Sequence, residues 1–186
     1  GRVRLSLGLN NVVPDYLAML IAYEDKRFYQ HHGVDPLAVL RATVQSAWNG
    51  QVVSGGSTLT MQVARLLENS GTGRWHGKLR QVRLALALER RLSKDEILEL
   101  YLAHAPYGGG VEGLRAGSLA WFGKEPVRLT MAEAALLVAL PQSPEQRRPD
   151  RHADAAITAR ARVLDRVEAP EQARLAAVPT AMKPFV

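Results

Sequence analysis

The sequence predicts a mainly α-helical domain, and three observations carry that prediction. Apolar residues recur every three to four positions through most of the 186 residues, the period of a helix with one buried face. Helix-start signals are frequent: Asp35-Pro36 sets an N-cap before a proline at the first helical position, and Ser93 with Glu96 and Thr130 with Glu133 form capping-box patterns. Strand signals are few, the best being Val52-Val53, and no repeat of useful period is present.

The elements follow in order. Pro14, Leu17, Leu20, Ile21 and Phe28 share a helical period, so a helix is expected from residue 14 to about 30, ended by the His31-His32-Gly33 turn. A second helix opens at Asp35-Pro36, carries Leu37, Leu40, Val44 and Trp48 on its apolar side, and stops at Gly50. Residues 51 to 57 form a loop with two adjacent glycines, before a helix marked by Leu59, Val63, Leu66 and Leu67. After a polar, Gly-rich connection, Lys78 to Arg91 read as a helix apolar on much of its circumference and therefore expected to be central. Ser93 opens a helix to about Leu102; Pro106 to Gly110 is a turn; Glu112 to Trp121 is a short helix. Thr130 leads into Ala134 to Leu140, closed by Pro141, and the Ala- and Arg-rich tail is helical from Asp154 to Glu168 with an irregular end.

The length suffices for one substantial core, and one domain over residues 1–186 is expected, with a smaller lobe. A composition 47% apolar and 23% charged belongs to a folded chain. The net charge of +6 and the isoelectric point near 10.0 call for an anionic partner: nucleic acid, phospholipid headgroups or a phosphorylated substrate. With no cysteine, disulfides and thiolate metal sites are excluded. No apolar run approaches the roughly 18 residues of a membrane span, and no signal segment opens the chain. Its first residue is glycine, as expected of an excised or processed piece.

Three constellations carry chemistry. The first runs from Glu24 to Asp35. Glu24 falls on the apolar stripe of its helix, where partial burial would bring a carboxyl group toward the range useful for proton transfer. An exposed glutamate paired with Lys26 or Arg27 satisfies the same spacing. Phe28 lies four residues on and His31 within a further turn, so a carboxylate, an aromatic ring and an imidazole are expected to converge at a helix end. Adjacent His31 and His32 point apart and have no third ligand spaced to join them, which argues against a metal-histidine site. The second is Ser54-Gly55-Gly56-Ser57-Thr58-Leu59-Thr60-Met61-Gln62, whose glycines, hydroxyls and helix-start amides suit an anion, or serve as plain N-capping. The third is basic: Arg65, Arg74, Lys78, Arg80 and Arg83, with Gln81 on the helical face of Lys78. It suits a pyrophosphate, though arginines at these intervals also line solvated helix faces.

Together these segments resemble the glycosyltransferase domain of class A penicillin-binding proteins, the lysozyme-like peptidoglycan polymerases of family 51. Five family motifs stand in order across residues 23 to about 148: Glu24-Asp25 with Phe28, His31 and Gly33; Gly55 through Gln62; the segment from Lys78; Pro106 through Lys124; and Leu129 through Pro141. Lys78-Leu79-Arg80-Gln81 and Leu140-Pro141-Gln142-Ser143-Pro144 look most like the C-type branch of the family. The resemblance implies a lysozyme-like fold with a larger globular lobe and a smaller membrane-proximal lobe at about residues 37–53. It implies polymerisation of lipid II into glycan strands at the periplasmic face of the bacterial inner membrane, with release of undecaprenyl diphosphate. Glu24 becomes the general base of an inverting transfer, and Gln81 takes the family's second catalytic position. Asp25, Phe28, His31, Gly56, Ser57, Thr58, Gln62, Arg65, Arg74 and Lys78 become substrate-binding. A divalent cation, Mg2+ or Mn2+, is implied at the pyrophosphate, and so are the lipid II substrate, the growing lipid-linked strand, the membrane surface and other cell-wall synthesis proteins as partners.

Two departures stand out. The family's usual third motif has a second glutamate where this chain has Gln81, which weakens any metal site but still donates a hydrogen bond. The usual Tyr-Leu-Asn is Tyr101-Leu102-Ala103. The membrane anchor and transpeptidase domain of full-length relatives are expected to lie outside this piece. Two other readings keep the architecture: a catalytically weak domain that binds lipid II or partners, signalled by Gln81, and a lysozyme-like hydrolase with Glu24 as general acid, against which the basic cluster argues. Nucleic acid is suggested by charge alone, without aromatics interleaved on a basic face, and none is expected.

Overall fold

The computed structural model describes residues 7–49, 56–68 and 75–184. Among these residues nine α-helices occur in the order α1 (Pro14–Glu24), α2 (Pro36–Asn49), α3 (Leu59–Glu68), α4 (Trp75–Glu89), α5 (Lys94–His104), α6 (Leu114–Phe122), α7 (Met131–Ala139), α8 (Ala153–Arg166) and α9 (Glu171–Leu175). Short 3-10 turns lie at Leu9–Asn11, Phe28–Gln30, Pro126–Arg128 and Leu140–Gln142. The mainly α expectation holds: the described residues contain no strand, and one isolated bridge joins Pro106 to Glu112. Val52-Val53 lies outside the described residues.

The chain divides into two compact units, the first made of Gly1–Tyr23 and Leu102–Val186, the second of Glu24–Tyr101. The described part of the segment expected to form a smaller lobe, α2, belongs to the second unit.

The first unit is built around α7, buried from Ala134 through Ala139 and packed on α8 and α6. Its start is the expected capping box: the Thr130 hydroxyl accepts from the Glu133 amide at 3.4 Å, and the Thr130 amide donates to the Glu133 carboxylate at 2.8 Å. Buried Tyr16 meets Tyr107 hydroxyl to hydroxyl at 2.9 Å, and the Trp121 indole donates to the Tyr107 carbonyl at 2.9 Å. The space for the Tyr107 ring exists because residue 117 is glycine; a Cβ there would stand 2.6 Å from the ring.

In the second unit α3 packs on α4. Asp35 caps α2, its carboxylate accepting from the amides of Leu37 (3.0 Å) and Ala38 (3.1 Å), with Pro36 at the first helical position. The Ser93–Glu96 box opens α5, the Ser93 amide donating to Glu96 at 2.7 Å. Gly33 has φ +87°, and a Cβ there would approach the Ala85 carbonyl oxygen to 2.9 Å, so two constraints select glycine.

Two expectations are corrected. The first helix ends at Glu24 instead of near residue 30, so Phe28 sits in a 3-10 turn and shares no helical face with Glu24. The reason is tertiary: Asp25, the next residue, spends its carboxylate on partners far along the chain. Helix α4 is peripheral, burying Gln81 and Ala85 while Leu79 and Leu86 are exposed; its apolar residues are spread too widely around the axis for one neighbour to cover them. Internal packing does not account for the apolar side of α2, because Leu37, Leu40 and Val44 are exposed and Trp48 is 88% exposed.

Candidate active site

Glu24 is the last residue of α1 and is half-buried. Its carboxylate accepts a hydrogen bond of 2.8 Å from the Gln62 side-chain amide, which stands one turn inside α3. This pair joins residues 38 apart. The pairing of Glu24 with Arg27 allowed by the spacing is replaced by contacts of Arg27 to Asp35 at 3.5 Å and Gln30 at 3.3 Å.

Asp25 and His31 are both buried. The Asp25 carboxylate accepts from the Leu59 amide at 2.9 Å and contacts His31 Nε2 at 3.0 Å from each oxygen. One carboxylate thus covers a first-turn amide of α3 and fixes the imidazole, the kind of pairing that makes a buried charge tolerable. The Thr58 hydroxyl donates to the Gly33 carbonyl and accepts from the Met61 amide at 3.1 Å, fixing the start of α3 against the glycine turn. Phe28 is fully buried, edge-on to His31 with ring centres 6.3 Å apart.

The basic residues are brought together in part. Lys78 Nζ donates to the exposed Ser57 hydroxyl. Partial desolvation first, and the Arg65 guanidinium second, hold the Lys78 ammonium below the usual lysine range. A bound anion would offset both effects on that lysine. Gly56 lies against α2, with Val39 and Ala42 in ordinary contact distance of its would-be Cβ. Gln81 is buried on the inner side of α4. Arg74, Ser54 and Gly55 lie outside the described residues.

Among the described residues no three His, Asp or Glu side chains converge as a metal-binding group, and Gln81 brings no charge.

Sequence reasoning missed Glu89 and Lys94. Lys94 Nζ donates to the Glu89 carboxylate at 2.6 Å and to the His31 carbonyl at 2.7 Å, and stands 4.4 Å from the Phe28 ring centre. Glu89 also accepts from the Thr60 hydroxyl at 2.6 Å. Neither lies in a motif that advertises chemistry; the signal was a glutamate and a lysine flanking the break between α4 and α5.

The half-buried Glu24 carboxylate beside the capped start of α3, with Lys78 and Arg65 near one another, makes this the candidate active site of the domain. Residues 2–168 match the family described as Transglycosylase, and the chain belongs to that family. Penicillin-binding protein 1C of Escherichia coli K12 is 50% identical over 164 residues, covering 88% of this chain and 21% of that protein. Penicillin-binding protein 1A of the same organism is 38% identical over 164 residues, covering 88% and 19%. The chain therefore spans about a fifth of the length of these curated relatives. The crystal structure of penicillin-binding protein 1A from Haemophilus influenzae matches over 99% of this chain and 19% of that one, with a TM-score of 0.55 at 19% identity, and supports the fold.

Proposed function

We propose that this chain is a peptidoglycan glycosyltransferase domain, joining lipid II to a growing lipid-linked glycan strand with release of undecaprenyl diphosphate. The observation that carries this reading is the Glu24 carboxylate, half-buried and held by Gln62, in a chain of the transglycosylase family. Glu24 takes the proton of the acceptor 4-hydroxyl as that oxygen bonds to the donor anomeric carbon. The bond from that carbon to the diphosphate oxygen breaks, its electron pair leaves with the diphosphate, and attack from the opposite side inverts the centre.

The charge that develops on the leaving group is met by Lys78 and Arg65, with Arg74 assigned to the same task, while Gly56 and Ser57 border the donor. Asp25, Phe28, His31 and Thr58 are buried and act by holding Glu24 and the start of α3 in place. Gln81 donates a hydrogen bond to a phosphate oxygen without adding charge, and no step is routed through a cation. The exposed apolar side of α2 meets the bilayer at the periplasmic face of the inner membrane, where other cell-wall synthesis proteins act on the same strand. Among the described residues no helix is long and apolar enough to cross a membrane.

The test is incubation of the domain in detergent with labelled lipid II, with and without Mg2+, followed by separation of products by length. A ladder of lengthening strands supports the proposal. Shortening of preformed glycan without polymer would make the domain a hydrolase. Precursor binding without polymer would make it a weak binding domain. Gln81→Glu is expected to alter the metal titration of polymerisation; identical titrations would remove residue 81 from the diphosphate.

A further inference from the structure

We infer that Lys94, acting with Glu89, is a positioning residue for Glu24; the inference rests on the glycosyltransferase reading. Between Glu24 and His31 the chain has only a turn and the 3-10 segment Phe28–Gln30, so side chains must fix its path. At the near end Asp25 binds the Leu59 amide and His31. At the far end the His31 carbonyl accepts from Lys94 Nζ at 2.7 Å, and the same ammonium covers the Phe28 ring.

Glu89 extends the hold to a second line. It accepts from Lys94 and from Thr60, both at 2.6 Å, and Thr60 precedes by two residues the Gln62 that grips the Glu24 carboxylate. One ion pair therefore ties the loop after Glu24 to the helix that orients Glu24. The Glu89 side chain is 5% exposed and that of Lys94 18%. A pair so enclosed is a weak source of stability, because desolvation offsets most of its attraction, and an apolar filling would serve packing as well. What an apolar residue lacks is the set of directed contacts that one ammonium makes with a carboxylate, a carbonyl and a ring face. Lys94 is given no contact with substrate; its effect passes through the geometry of Glu24, where small displacements of a reacting group are costly.

The experiment compares Lys94→Met, Lys94→Arg and Glu89→Gln with the parent domain in steady-state polymerisation, thermal denaturation and NMR of isotope-labelled histidine. Lys94→Met is expected to fold, to lose about 10- to 100-fold in kcat at nearly unchanged KM, and to move the His31 imidazole resonances. Lys94→Arg recovers part of the loss, and Glu89→Gln shows a smaller loss of the same kind. A drop in melting temperature with unchanged kcat per folded molecule would reduce the pair to a structural role and overturn the inference. Should Lys94→Met fail to fold, Glu89→Gln decides in the same terms. If the parent makes no polymer, the functional reading falls separately, and unmoved His31 resonances would still overturn the positioning role.

Discussion

The two units distribute polarity in opposite ways. In Gly1–Tyr23 with Leu102–Val186, α7 is almost wholly buried, and among the described residues the buried polar ones are three, Ser118, Arg148 and Arg160. In Glu24–Tyr101 they are six, Asp25, His31, Asp35, Thr58, Thr60 and Gln81, although this unit is the smaller. The surfaces are reversed too: Val127, Ile157 and Leu175 are the large apolar residues exposed in the first unit, against nine in the second, among the described residues. Burying polar groups and exposing apolar ones both cost stability. The second unit therefore carries the arrangement that folding alone would not select, and the first reads as scaffold.

Substitutions that separate rate from stability sharpen this contrast. Glu24 apart, the largest expected effect is that of Lys78→Met in the second unit. Loss of a preorganised cation at the leaving group lowers kcat about 100-fold while the melting temperature is preserved. An equal fall in both would place Lys78 in the scaffold. Next is Gly117→Ala in the first unit. The added Cβ meets a Tyr107 ring that Tyr16 and Trp121 prevent from moving, so unfolding free energy falls by about 1–3 kcal/mol. Activity per folded molecule stays unchanged; a stable but slow variant would break the division of labour.

The smallest effect is a shift in pH profile. The Lys78 ammonium is complete below its lowered pKa and is lost as pH rises through it, so anion binding weakens on the alkaline side. Arg65→Gln removes the second cause of that depression, so the Lys78 pKa rises. The alkaline limb of kcat/KM moves to higher pH even as the plateau falls; a limb that stays or moves down would disconnect the two residues.

Local chemistry explains what the sequence made legible. Thr130 with Glu133, Asp35-Pro36 and Ser93 with Glu96 each complete a cap within three residues, and each is found in the structure. The end of α1 was illegible because Asp25 is claimed by Leu59, 34 residues away, and by His31. The apolar period that continues to Phe28 has no bearing on that competition. Periodicity likewise overstated the burial of α4, since it counts apolar residues without knowing how many neighbours will arrive. For the site, Glu24 stood out as a carboxylate on an apolar stripe, and Gln62 followed from family motifs. The Glu89–Lys94 pair has no pattern of its own, because its meaning lies in a carbonyl and a ring that only the fold brings to it.

The most direct test of the central claim is single-turnover transfer by Glu24→Gln, measured beside precursor binding and thermal denaturation. The substitution keeps the shape of the side chain and removes its capacity to take a proton. The variant is expected to fold, to bind lipid II like the parent, and to lose transfer by about 100-fold or more, in line with removal of a general base. A folded Glu24→Gln domain that polymerises at the parent rate would remove Glu24 from the chemistry and contradict the account.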